Sequence, residues 1–122
     1  MGNSETSSKK ILCVDDEPLN LAILEAQLED YYEIYTADSG KEGLEMLATV
    51  KPDIVLMDWM MPGMDGLQAT SLIKHQSDIP VIMISAKASP SDIQYALNHG
   101  VDDYLTKPFD EDDLVAVIKK YI

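Results

Sequence analysis

Short apolar runs alternate with amphipathic segments from Lys9 to the end of the chain. The runs are Ile11–Val14, Ile34–Ala37, Ile54–Met57, Val81–Ile84 and Asp103–Leu105. The strongest are continuous rather than alternating, the pattern of strands covered by helices on both faces. Between them lie segments with helical spacing and start signals. Pro18 opens the first, where Leu21, Leu24 and Leu28 recur at helical intervals. Ser39 and Glu42 make a capping-box pattern with Leu44 and Leu47 behind it. Pro62-Gly63 and Asp65-Gly66 mark a loop before a third helix from Leu67 to about His75. Ser89-Pro90 starts a fourth that Gly100 is placed to end. Asp110 caps a fifth, striped by Leu114, Val117, Ile118 and Tyr121. Five strands and five helices in strict alternation predict an α/β fold with a parallel sheet and right-handed crossovers. Residues 1–8 lack periodicity and are expected to be a disordered tail, leaving one domain over 9–122.

Charge narrows the function. Nine Lys and no Arg face 22 acidic residues, for a net charge of −13. Nucleic acid is not an expected partner, because binding it needs basic groups to displace condensed counterions. An acidic membrane surface is disfavoured for the same reason. No apolar stretch approaches the ~20 residues of a transmembrane helix, and the N-terminus lacks the apolar core of a secretory signal. Gly2 to Thr6 fits the loose myristoylation pattern, but a cytoplasmic protein is the simpler expectation. Cys13, within an apolar run, is expected to be a buried structural thiol.

Ligands of parallel α/β sheets bind outside the carboxyl ends of the strands. Asp15, Asp16 and Glu17 follow the first strand, Asp58 the third, Ser85 the fourth, and Lys107-Pro108 the fifth. In a flavodoxin-like strand order, 2-1-3-4-5, the first and third strands are neighbours, so Asp15, Asp16 and Asp58 would crowd together. Repulsion among them would raise their pKa values, and a hard divalent cation such as Mg²⁺ would relieve it. The lack of a Cys/His cluster argues against zinc. An Asp ending a strand is often only a helix cap or a solvated turn. Asp15 and Asp16 alone leave that open; the combination with Asp58, Ser85 and Lys107 at matching strand ends argues against it.

In this order and spacing, Asp15-Asp16, the stretch Met57-Asp58-Trp59-Met60-Met61-Pro62-Gly63-Met64-Asp65-Gly66, Ser85-Ala86 and Lys107-Pro108 closely resemble the receiver domain of two-component response regulators. The resemblance spans residues 9–122 and implies the three-layer flavodoxin-like fold. It implies that Asp58 is the phosphoacceptor, taking a phosphoryl group from a sensor histidine kinase or phosphotransfer protein. It further implies that Asp16 holds Mg²⁺ directly, Asp15 through water, and the Met60 backbone carbonyl beside Asp58. Lys107 and Ser85 would contact the phosphoryl oxygens, the Lys107–Pro108 peptide would be cis, and Ser85 and Tyr104 would form the switch pair. The output surface would be the face of helix 4, strand 5 and helix 5. Met60 and Lys87, two residues after Asp58 and Ser85, stand where the family tunes phosphate lifetime.

Such a chain is not expected to be an enzyme beyond its own phosphorylation and dephosphorylation. A phosphate shuttle or sink without an effector is a rival within the family, and a receiver belonging to a larger kinase, cyclase or transcription factor is equally compatible. From other classes, a small Mg²⁺-dependent phosphatase of the haloacid dehalogenase type wants a second Asp where Met60 stands. A flavin binder wants amides and hydroxyls where Asp15-Asp16-Glu17 stand. No glycine-rich phosphate cradle is visible, and His75 and His99 are expected to be solvated. Trp59 is expected to be a packed aromatic, with partner contact as the alternative.

Overall fold

The computed structural model describes residues 8–122; the Gly2–Thr6 lipidation pattern and nearly all of the expected tail lie outside the described residues. The strands are β1 (Lys10–Val14), β2 (Glu33–Ala37), β3 (Ile54–Asp58), β4 (Val81–Ser85) and β5 (Asp103–Thr106). The helices are α1 (Pro18–Leu28), α2 (Gly40–Val50), α3 (Gly66–Gln76), α4 (Pro90–Asn98) and α5 (Glu111–Lys119). All four strand pairs are parallel, in the order β2-β1-β3-β4-β5. This is the flavodoxin-like order expected from the sequence. Among the described residues, no helix is long and apolar enough to cross a membrane.

The continuous apolar runs split between two cores because successive strand side chains point to opposite faces. Leu12, Val14, Val55, Met57, Val81 and Met83 join Leu47, Ile73 and Ala96 beneath α2, α3 and α4. Ile11, Cys13, Ile54, Leu56, Ile82 and Ile84 join Leu24, Leu28, Leu114 and Ile118 beneath α1 and α5. Cys13 is fully buried. Burial pushes its thiol up to about 12, with smaller contributions from Glu25 and Asp15, so it is inert as a thiolate. Edge strand β5 is only half-buried along its length, which accounts for its faint apolar signature.

The helix ends carry most of the start signals read above. Asp110 and Ser89 each accept from the backbone N–H three residues on, and Gly100, at φ +105, follows the last turn of α4. Ser39 accepts from Glu42 N–H, but the Glu42 carboxylate reaches past Ser39 to the N–H of Asp38. The box is thus opened by one residue. A complete capping box occurs instead at α3, where Asp65 Oδ1 accepts from Gln68 N–H and Gln68 Oε1 accepts from Asp65 N–H, both at 2.9 Å. Asp65→Ala should therefore cost about 1 kcal/mol of stability, read as a lower urea midpoint at unchanged slope. An unchanged midpoint would mean that water replaces both bonds without loss.

Candidate functional site

Strand register and side-chain parity build the site. Val14 pairs with Met57 and Asp58 with Ile84, so Asp15 stands level with Asp58 across the β1–β3 seam. Ser85 pairs with Thr106, which brings Lys107 to the same edge, its N–H donating to the Ser85 carbonyl at 2.9 Å. The Lys107–Pro108 peptide is cis.

Alternation then assigns faces. Asp58 continues the Ile54–Leu56 parity toward the α1/α5 layer, whereas Trp59 joins the core beneath α2–α4. Ser85 continues the parity of Val81 and Met83 toward that second layer, where Tyr104 also packs. One sheet edge therefore presents an acidic group on one side and hydroxyl-bearing and aromatic groups on the other.

The carboxylates of Asp15, Asp16 and Asp58 each offer an oxygen within 4.8 Å of the others. Asp15 and Asp58 are buried, Asp16 less so. Asp15 Oδ1 accepts from Glu17 N–H at 2.9 Å, and its Oδ2 accepts from the Asn20 amide at 3.2 Å. Lys107 Nζ lies 3.5 Å from Asp58 Oδ1 and 3.7 Å from Asp15 Oδ2. One ammonium thus pairs with two of the three carboxylates. Burial, then repulsion from Asp15, pushes the Asp58 carboxyl up to about 6; Lys107 opposes this and Asp16 adds to it. A cluster of hard oxygen donors left short of positive charge suits Mg²⁺, which takes carboxylates, carbonyls and water. Met60, whose side chain is 60% exposed, follows within the loop beyond β3.

The remaining side chains connect the site to α4 and β5. Ser85 is 1% exposed, and its hydroxyl accepts from Lys87 N–H at 3.1 Å. The Tyr104 phenol donates to the Lys87 carbonyl at 2.7 Å, and burial pushes its pKa up. Trp59 is 6% exposed. It meets Tyr104 edge-on at 6.2 Å, lies parallel to Tyr95 at 6.5 Å, and carries Lys87 Nζ 4.5 Å from its ring centre. His99 is exposed, and its ring stacks on Tyr95 at 4.1 Å. Trp59 is thus a packed aromatic, and Lys87 extends over it.

The loop from Trp59 to Gly66 is closed by a 2.8 Å bond from Gly66 N–H to the Trp59 carbonyl. A Cβ on Gly66 would overlap the Asp58 carbonyl oxygen and stand 2.8 Å from Trp59 Cα. Backbone therefore lies directly on backbone beneath Asp58. Asn20 and the Trp59–Tyr95–His99 stack escape a reading of the sequence. Nothing periodic links them to the strand ends, and only Asn20, one turn into α1 from the Asp pair, offers a local hint.

Residues 11–119 match the response regulator receiver domain. The chain is similar to chemotaxis protein CheY4 of Vibrio cholerae, at TM-score 0.89 and 28% identity over 95% of this chain and 100% of that one. It is similar to the receiver domain of Francisella response regulator 1452, at TM-score 0.87 and 33% identity over 93% and 96%. A third likeness is to the signal receiver domain of a signal transduction histidine kinase from Syntrophus aciditrophicus, at TM-score 0.84 and 32% identity over 93% and 89%. With the family model matched over residues 11–119 and the strand order that of these relatives, the chain belongs to the response regulator receiver domains of two-component signalling.

Proposed function

We propose that residues 9–122 form a phosphoacceptor module, with Asp58 as acceptor and a sensor histidine kinase or phosphotransfer protein as donor. The observation that carries this reading is Asp58 flanked by Asp15 and Asp16 within 4.8 Å, with Lys107 Nζ at 3.5 Å. A carboxylate oxygen of Asp58 attacks the phosphorus of a phosphohistidine. The new P–O bond forms as the P–N bond breaks, and the imidazole leaves with its electron pair and takes up a proton. Mg²⁺, held by Asp16, Asp15, Asp58 and the Met60 carbonyl, would supply the charge neutralisation that phosphoryl transfer needs. Lys107 serves as a point charge on the phosphoryl oxygens, and the Ser85 hydroxyl donates to another. The module acts in the cytoplasm and processes no separate substrate.

Ser85 is joined to the Tyr104 region through Lys87. Drawing Ser85 toward a phosphate therefore biases the loop from β4 to α4 and the α4–β5–α5 face. A shuttle or sink role uses the same chemistry without an effector. A small Mg²⁺-dependent phosphatase is disfavoured by Met60 standing two residues after Asp58.

Intact mass after incubation with a small phosphodonor tests the reading. One phosphoryl group should add to wild type with Mg²⁺, and none with chelator or with Asp58→Ala. Addition to Asp58→Ala at the wild-type rate would refute it. Met60 offers no polar group to orient a hydrolysing water, so Met60→Asn should speed loss of the phosphate severalfold. An unchanged decay rate would remove Met60 from that role.

A further inference from the structure

The chain holds two kinds of oxidisable sulfur, and the fold separates them. Cys13 is fully buried, and burial pushes its thiol up to about 12, so the thiolate that would attack a peroxide is scarcely formed. The methionines differ among themselves. Met57 and Met83 are 0% exposed and Met61 7%, while Met46 and Met64 are half-buried. Among the described methionines only Met60 is exposed, at 60%. A thioether needs no deprotonation to react, so exposure decides which of them meets an oxidant. Met60 also stands two residues after Asp58, at the position to which the proposed function assigns control of phosphate lifetime.

We propose that Met60 is a site of reversible oxidation by hydrogen peroxide, and that its sulfoxide shortens the life of the aspartyl phosphate. The second half rests on the reading of Asp58 as acceptor. A lone pair on Met60 Sδ attacks one peroxide oxygen, and the S–O bond forms as the O–O bond breaks. The departing hydroxide takes the proton from the transferred oxygen and leaves as water. Sulfur loses two electrons and the peroxide gains them. Charge selects the oxidant. The net −13 of the chain and the nearby cluster of Asp15, Asp16 and Asp58 repel anionic oxidants such as hypochlorite, whereas an uncharged peroxide meets no such barrier. A thioether is a weak hydrogen-bond acceptor, and a sulfoxide oxygen is a polar one. Oxidation thus gives Met60 what Met60→Asn would supply, a polar group able to orient a hydrolysing water.

Peptide mass mapping of the folded protein after peroxide treatment, with no phosphodonor present, tests the site. Met60 should gain oxygen at least about tenfold faster than Met57, Met61 or Met83, whether or not Asp58 accepts phosphate. Phosphorylated protein then reads the consequence. Phosphate loss should be severalfold faster after oxidation, and should return to its first rate after methionine sulfoxide reductases for both epimers have acted. Peroxide should leave the decay rate of Met60→Leu as it was before treatment. Oxidation of Met60 no faster than that of the buried methionines would overturn the site. Equal decay before and after Met60 is oxidised, or the same acceleration in Met60→Leu, would overturn its regulatory role.

Discussion

Gly66→Ala is expected to destabilise the protein by about 3 kcal/mol or more, the upper end of what overpacking does to a close-packed interior. The cause is contact, not backbone conformation. A methyl group at this position meets the carbonyl of Asp58 and the Cα of Trp59. Neither can rotate aside as a side-chain tip could, so β3 or the start of α3 must move. Either motion displaces Asp58, the acceptor proposed above, and phosphoryl incorporation should fall along with the denaturation midpoint. Gly63 provides the contrast. Its φ of +76 favours glycine, yet nothing lies within 4 Å of an added Cβ, so Gly63→Ala should cost only about 1–2 kcal/mol. A Gly66→Ala loss no larger than that of Gly63→Ala would show that the loop yields freely.

Asp58→Asn should stabilise the metal-free protein above pH 6. Burial and Asp15 raise the folded-state carboxyl from 3.8 to about 6, so between these values the folded chain holds a proton that the unfolded chain has released. The stabilisation from that proton is complete below about pH 4 and disappears as pH rises through 6. Above that, the wild-type carboxylate opposes folding by as much as about 3 kcal/mol, from ~1.4 kcal/mol per pKa unit. Neutral Asn escapes this. In chelator, the melting temperature of Asp58→Asn should exceed that of wild type by on the order of 10 °C at pH 8. The gap should close toward pH 4, and Mg²⁺ at pH 8 should narrow it by binding folded wild type. Parallel melting profiles across this pH range would show that the carboxylate is not held at a cost.

The parts of the molecule legible in the sequence are those set by local pattern. Strands β1, β3 and β4 are covered on both faces and so read as unbroken apolar runs, and their order brings the residues just beyond them together. Asp15, Asp58, Ser85 and Lys107 are legible because each immediately follows or ends a strand. What was not legible depends on residues brought together across the fold. Tyr95 is an exposed residue of α4, and nothing in its spacing shows that its ring lies parallel to Trp59 from the loop beyond β3. Asp65 reads as turn chemistry because Asp-Gly commonly marks a turn, although Gln68 three residues on completes a cap.

The parity that sends Asp58 to one layer and Trp59 to the other also separates two kinds of heritable change. Under the proposed function, substitutions around α1 and Phe109 would alter what approaches Asp58, while those around Tyr95, Lys87 and Tyr104 would alter what the chain presents once Asp58 carries a phosphoryl group. Phe109 and Tyr104 pack in opposite layers of the sheet, so the effects of the two sets on stability should be nearly additive. A lineage can therefore change the input and output of such a module in separate steps, without each change having to be compensated by the other.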